Sequence, residues 1–278
     1  MKDLLLITPP FTQLNTPYPA TAYLKGFLNT KNISSYQIDL GIEVILEIFS
    51  KKGVTEIFNV KPKNLSENAH RIFALREEYI KTIDEVIAFL QNKKPTLARQ
   101  ICSMNFLPEA SRFNQLDDME YAFGNMGLQD KAKHLATLYL EDLSDYIVEN
   151  IDENFGFSRY AERLGRSANS FDELYEKLQS EKTFVDNFTV EILDKKLLET
   201  KPKLVCFSVP FPGNLYSAFR CAQYIKNHYP NIKTAFGGGF ANTELRDLKD
   251  KRVFEFFDFI TLDDGELPIE LLFENVCH

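Results

Sequence analysis

Apolar residues in this chain fall into short continuous runs near both ends and into helical spacing through the middle. Leu4–Thr8 is apolar up to Ile7 and stops at Pro9-Pro10, where two residues without an N–H cannot extend a sheet ladder. A loop with Thr12, Asn15 and Thr16 follows, and then Pro19–Asn29 repeats Ala22, Tyr23, Phe27 and Leu28 at helix period. Ser35–Leu40 reads as a second strand ending at Asp39-Leu40-Gly41. Such a strand–helix–strand unit is expected to be parallel and right-handed.

The third strand, Lys203–Ser208, comes much later. Between them, three apolar stripes recur at helical spacing: Ile72, Phe73, Tyr79, Ile80, Ile83, Ile87 and Leu90; Leu135, Leu138, Leu143, Tyr146 and Ile147; and Phe171, Leu174, Tyr175 and Leu178. Residues 41–202 therefore read as a large helical insertion between strands 2 and 3. Alternation then resumes: a helix over Asn214–Tyr229 stopped by Pro230, a strand over Ile232–Phe236, and a short helix for which Asn242 is a suitable N-cap. A strand over Phe256–Leu262 and a helix over Leu267–Asn275 close the series. Strands alternating with helices predict an α/β fold, a flavodoxin-like doubly wound five-stranded parallel sheet of order 2-1-3-4-5. Residues 1–40 with 203–278 would form that domain, and 41–202 the insertion subdomain.

Composition narrows the function classes. The chain has 278 residues, 44% hydrophobic and 26% charged, enough for a substantial core. A net charge of -8 argues against nucleic acid as partner, because phosphate contacts need clustered Lys and Arg. No apolar run approaches the roughly 20 residues of a membrane span, and no signal-peptide pattern opens the sequence. The expectation is a cytoplasmic protein with no membrane partner. Cysteines at 102, 206, 221 and 277 have no close C-x-x-C spacing, and the histidines at 70, 134, 228 and 278 form no ligand set, so no metal site is expected. Cys206 and Cys221 read as small core residues.

Open α/β sheets bind ligands outside the carboxyl ends of their strands. Those ends carry Thr8-Pro9-Pro10-Phe11, Asp39, Ser208-Val209-Pro210, Gly237-Gly238-Gly239 and Asp263-Asp264-Gly265-Glu266. Two prolines stand where a dinucleotide phosphate needs backbone N–H donors, and no G-x-G-x-x-G or Walker pattern follows. Asp39 then reads as a polar strand end rather than a ribose-binding acid. A phospho-acceptor domain needs an aspartate where this chain has Ser208. Three successive glycines let a bulky flat group approach the backbone, whereas a tight turn needs one. Ser208 offers one hydrogen bond in the same cleft.

Together these segments resemble the N-terminal cobalamin-binding module of radical S-adenosylmethionine (SAM) enzymes. The likeness rests on Ile7-Thr-Pro-Pro10, Ala22-Tyr23-Leu24, Phe207-Ser208, Phe236-Gly-Gly-Gly-Phe-Ala-Asn242 and Asp263-Asp-Gly-Glu-Leu-Pro-Ile-Glu-Leu-Leu272, covering roughly residues 1–40 and 203–275. It implies a corrinoid whose nucleotide tail lies against Ser208, Val209 and Gly237, Gly238 and Gly239. Thr8, Pro9, Pro10 and Phe11 would face the corrin ring, and Asp263, Gly265 and Glu266 would close one side. No histidine occurs in the loop after strand 1, so a bound cobalt would lack a protein imidazole. The C-x-x-x-C-x-x-C triplet that holds the 4Fe-4S cluster for S-adenosylmethionine cleavage is absent. By resemblance, cluster, S-adenosylmethionine and catalytic barrel would belong to a downstream region, leaving this chain as a fragment without catalytic residues. Two other readings stand beside it: a cobalamin-independent Rossmann-like ligand-binding module, and an interaction domain presenting the aromatic-rich insertion.

Overall fold

The computed structural model describes residues 3–62, 66–103, 105–118, 127–166 and 171–277. It is an α/β structure with a five-stranded, all-parallel sheet of order β2-β1-β3-β4-β5. The strands are β1 (Leu4–Thr8), β2 (Ser35–Asp39), β3 (Leu204–Ser208), β4 (Lys233–Gly237) and β5 (Phe259–Ile260). The order and the first four positions agree with the sequence reading. The fifth strand is far shorter than expected. Lys251–Glu255 forms a 3-10 turn, and Phe256 and Phe257 leave the strand path to pack against the ring of Phe219.

The chain divides into two compact units, one of Met1–Ile45 with Gly156–His278 and one of Leu46–Phe155. The expected insertion of 41–202 is thereby shortened at both ends, because residues 156–202 pack in the sheet unit. The helices of the sheet unit, in chain order with those of the other, are α1 (Ala20–Thr30) and α2 (Leu40–Ile48, within which the boundary falls). The second unit holds α3 (Lys51–Asn59), α4 (Glu67–Ala74), α5 (Arg76–Leu90), α6 (Ala98–Ile101) and α7 (Leu128–Asn150). The sheet unit resumes with α8 (Glu162–Arg166), α9 (Asp172–Gln179), α10 (Phe184–Thr200), α11 (Pro212–His228), α12 (Gly239–Asn242) and α13 (Glu266–Val276).

Parallel strands covered on both faces are apolar throughout, and β1 is buried at all five positions. Side chains alternate between the faces. Leu4, Leu6, Leu204 and Ala235 join Leu28 of α1 and Ile269 of α13 in one core layer. Phe207 and Phe236 face the other side, where they meet Phe257, and Phe236 also meets Phe219 of α11. Proline at the first turn of α11 suits a position whose N–H has no helical partner. Asn242 is the last residue of α12 rather than its N-cap, because the helix begins directly at Gly239.

In the second unit, α7 buries Leu135, Leu138, Leu143, Tyr146 and Ile147, as their spacing predicts. The first stripe is corrected: the chain breaks at Leu75, and α5 turns Val86 and Phe89 inward instead of Ile87 and Leu90. Asp142 of α7 is fully buried and accepts from the N–H groups of Ala110 and Arg112, both at 3.1 Å. Burial outweighs those bonds and pushes its carboxyl up to about 6. An unfolded aspartate releases its proton near pH 4, whereas this one keeps it to about pH 6. The folded state binds the extra proton in that window, so this group's contribution to stability grows as pH falls from 6 to 4 and is smallest above 6. Asp142→Asn should flatten that part of the stability–pH curve in urea titrations run between pH 4 and 7.

Candidate functional site

A cavity of about 400 Å³ opens on the α1/α13 side of the sheet, at the carboxyl ends of β3, β4 and β5. Its floor comes from three residues in register across neighbouring strands: Leu6, Cys206 and Ala235. That row shrinks from leucine to cysteine to alanine, so the sheet surface falls away towards β4. Thr21 and Leu24 of α1 form one wall and Ile269 and Leu272 of α13 the other.

Polar groups gather at the strand ends and along the rim. Ser208 is 8% exposed, lines the cavity, and its Oγ has no hydrogen-bond partner among the described residues. A buried hydroxyl left unsatisfied costs about 1–3 kcal/mol, so such a group marks a place where a ligand or water belongs. Cys206 presents a thiol that burial pushes up to about 12, so it stays protonated and acts as apolar wall. At the rim, the Tyr23 hydroxyl donates to Glu266 Oε1 at 2.7 Å, which holds Glu266 below the usual carboxylate range. Asn242 ties the opposite rim: its Nδ2 donates to the Asp263 carbonyl at 3.2 Å, and its Oδ1 accepts from the Asp263 N–H at 2.5 Å. Arg246 pairs with Asp263 at 2.9 Å. No lysine or arginine lines this cavity among the described residues, whereas Asp263, Asp264 and Glu266 do.

Of the residues expected from sequence, Ser208, Gly237, Gly238, Gly239, Asp263, Gly265 and Glu266 line the cavity. The glycines owe their identity mainly to the protein itself, which corrects the expectation that all three open the cleft. A Cβ on Gly237 would lie 3.0 Å from the Thr261 carbonyl oxygen of the neighbouring segment. Gly238 has φ +110°, and a Cβ there would meet the backbone N and O of Val209 at 2.9 Å. Gly265 lets α13 start close to Leu24, whose Cδ2 would be 3.1 Å from an added Cβ. Only Gly239, with nothing nearer than the Pro210 carbonyl at 3.4 Å, leaves room beside the cavity.

Thr8, Pro9, Pro10, Phe11 and Val209 are outside it. Thr8 is fully buried behind Thr21, with the two hydroxyls 3.4 Å apart. The Pro9 carbonyl accepts from Asn214 Nδ2 at 2.6 Å, and Pro10 lies under Gly41. Phe11 is 1% exposed, edge-on to Tyr160 at 5.9 Å, with its N–H donating to the Gly213 carbonyl. The turn after β1 is thus covered by the chain's own residues rather than open to a ring. Val209 is spent on the backbone: its N–H donates to Gly237 and its carbonyl accepts from Phe240. Asp39 takes the plainer of its two readings, capping α2 through the Ile42 N–H at 3.1 Å.

Sequence reasoning missed the helical walls and the floor. Cys206 read as a core residue, Thr21 and Ala235 were not singled out, and Leu24 and Ile269 entered only through the family likeness; only the decreasing size across one strand row could have shown the gap. Among the described residues no group of three or more His, Cys, Asp or Glu is gathered as for a metal ion, and no helix is long and apolar enough to cross a membrane. Comparison with protein-family models, with curated proteins and with solved structures returned no match.

Proposed function

We propose that this chain is a flavodoxin-like ligand-binding module whose cavity takes the nucleotide tail of a corrinoid, as in the cobalamin-binding part of radical SAM enzymes. The observation that carries the reading is Ser208, a buried hydroxyl without a partner among the described residues at the end of the central strand β3, facing a cavity with an apolar floor and an acidic rim. A volume of about 400 Å³ suits a base with its sugar and is too small for a corrin. Apolar floor and helical walls fit the flat faces of a base, and Ser208 would bond a polar edge. In the family such a cofactor supplies methyl-transfer or carbon-skeleton chemistry together with a 4Fe-4S cluster and S-adenosylmethionine on a separate barrel. The part played by this chain's own residues is to bind and orient.

The covered turn at Thr8–Phe11 favours a second reading, in which the cavity holds a free nucleoside-like molecule and no corrin. The two separate by experiment. Mixed with hydroxocobalamin and desalted, the chain should keep a red colour with a shifted visible spectrum. Cys206→Leu fills the cavity from its floor and should abolish retention while leaving the urea midpoint unchanged. Ser208→Ala should weaken binding about three- to tenfold, the worth of one hydrogen bond. Failure to retain cobalamin, with adenosine or a benzimidazole riboside still bound, would establish the second reading. Binding of none of them would end both.

A further inference from the structure

Parts of the cavity floor are shut to water although they border an empty space: Leu6 and Ala235 are 0% and 2% exposed. A flat base reaches that floor only if the walls part, and the walls are α1 and α13. Below, Leu24 and Phe27 of α1 and Leu272, Phe273 and Val276 of α13 pack on one core layer. Nearer the surface, two polar contacts join the helices. The Tyr23 hydroxyl donates to Glu266 at 2.7 Å, and Lys31 pairs with Glu270 at 2.8 Å. Glu266 and Glu270 are four residues apart on α13, so both carboxylates lie along one side of it.

α13 is tethered at each end. Just before it, Asp263 is held by Asn242 and Arg246. Just after it, the Cys277 carbonyl accepts from Lys203 Nζ at 2.7 Å. A helix fixed in this way is free to roll about its axis but not to leave the sheet.

We infer that α13 is a rolling gate over the cavity floor, latched by the Tyr23–Glu266 and Lys31–Glu270 contacts, and that it controls ligand entry and exit. This rests on the reading of the cavity as a ligand pocket, whichever ligand fills it. A latch stabilises the shut state equally with and without ligand. Breaking it therefore speeds entry and exit together and leaves affinity unchanged, whereas losing a ligand contact acts chiefly on exit.

Access to the floor is measured first without ligand. Cys206 is the thiol on the floor, and its raised pKa keeps it slow to react while the gate is shut. Cys221 and Cys277 are buried outside the cavity. The native chain and Tyr23→Phe/Lys31→Met are treated with N-ethylmaleimide, and labelling of each cysteine is followed by peptide mass spectrometry. The double variant should label Cys206 about three- to tenfold faster, the effect of losing two exposed contacts, with Cys221 and Cys277 unchanged. An unchanged Cys206 rate overturns the gate. So does an equal rise at Cys221, which reports general loosening, or at Cys277, which reports that α13 detaches.

Lys31→Met alone, at a position that does not line the cavity, is then mixed with hydroxocobalamin in stopped flow. Entry and exit should both quicken about twofold at an unchanged dissociation constant. A change in exit alone, or in neither rate, overturns the gate. If no cobalamin binds, the corrinoid reading fails, and the Cys206 rates still decide the gate.

Discussion

Valine at position 238 is expected to lower the stability of the sheet unit by about 3 kcal/mol or more. Two effects add. Gly238 sits at φ +110°, where a β-branched residue is strained, and any Cβ would press on the Val209 backbone at 2.9 Å. Neither neighbour has freedom to move, because Val209 bonds to Gly237 through its N–H and to Phe240 through its carbonyl. Gly239→Ala, one residue on, should be neutral or slightly stabilising, since it stands at a helix start with space around it. Urea titrations followed by tyrosine fluorescence, in a chain with 12 tyrosines and no tryptophan, measure both. A Gly238→Val midpoint equal to that of the native chain would contradict the packing described for the end of β4.

Arg220→Leu should cost about 3–5 kcal/mol. Arg220 and Asp186 are 2% and 1% exposed, with Nε 3.0 Å from Oδ2. The guanidinium also donates to the carbonyls of Leu178 and Lys177 and to the Tyr216 hydroxyl, which in turn donates to Asp186 at 2.7 Å. Asp186 forms the capping box of α10 with Thr183. One cation thus ties the end of α9, the start of α10 and the middle of α11. Removing it leaves a buried carboxylate and two carbonyls without it. Asp186→Leu added to Arg220→Leu should recover part of the loss, because no charge then remains buried. A double variant less stable by the sum of the two single losses would show that the groups act independently.

β1 and β3 were legible in the sequence because a parallel strand covered on both faces announces itself as an unbroken apolar run, and the strand order followed from the alternation of strands with helices. β5 was not, since Phe256 and Phe257 look like strand residues and are instead claimed by the ring of Phe219. The limit of the insertion was also hidden. Phe171, Leu174 and Leu178 have the same period as the stripes of the other unit, and periodicity does not say which surface a helix covers. At the site, residue types with an unusual backbone role stood out: Ser208, the glycines and the acidic turn. What they do was less legible. Gly237 and Gly238 answer to the neighbouring backbone, and the residues that create the void are ordinary core types whose only signal is their relative size.

β1 lies between β2 and β3, yet its partner at Leu204–Ser208 is encoded almost two hundred residues later. At ordinary synthesis speeds the nascent strand therefore waits roughly 10–40 s with one edge unpaired. Leu4 to Ile7 at such an edge is a template for adding strands from other chains. Ribosome-bound intermediates stalled before residue 204 should recruit a holdase chaperone, and those stalled well beyond it should not.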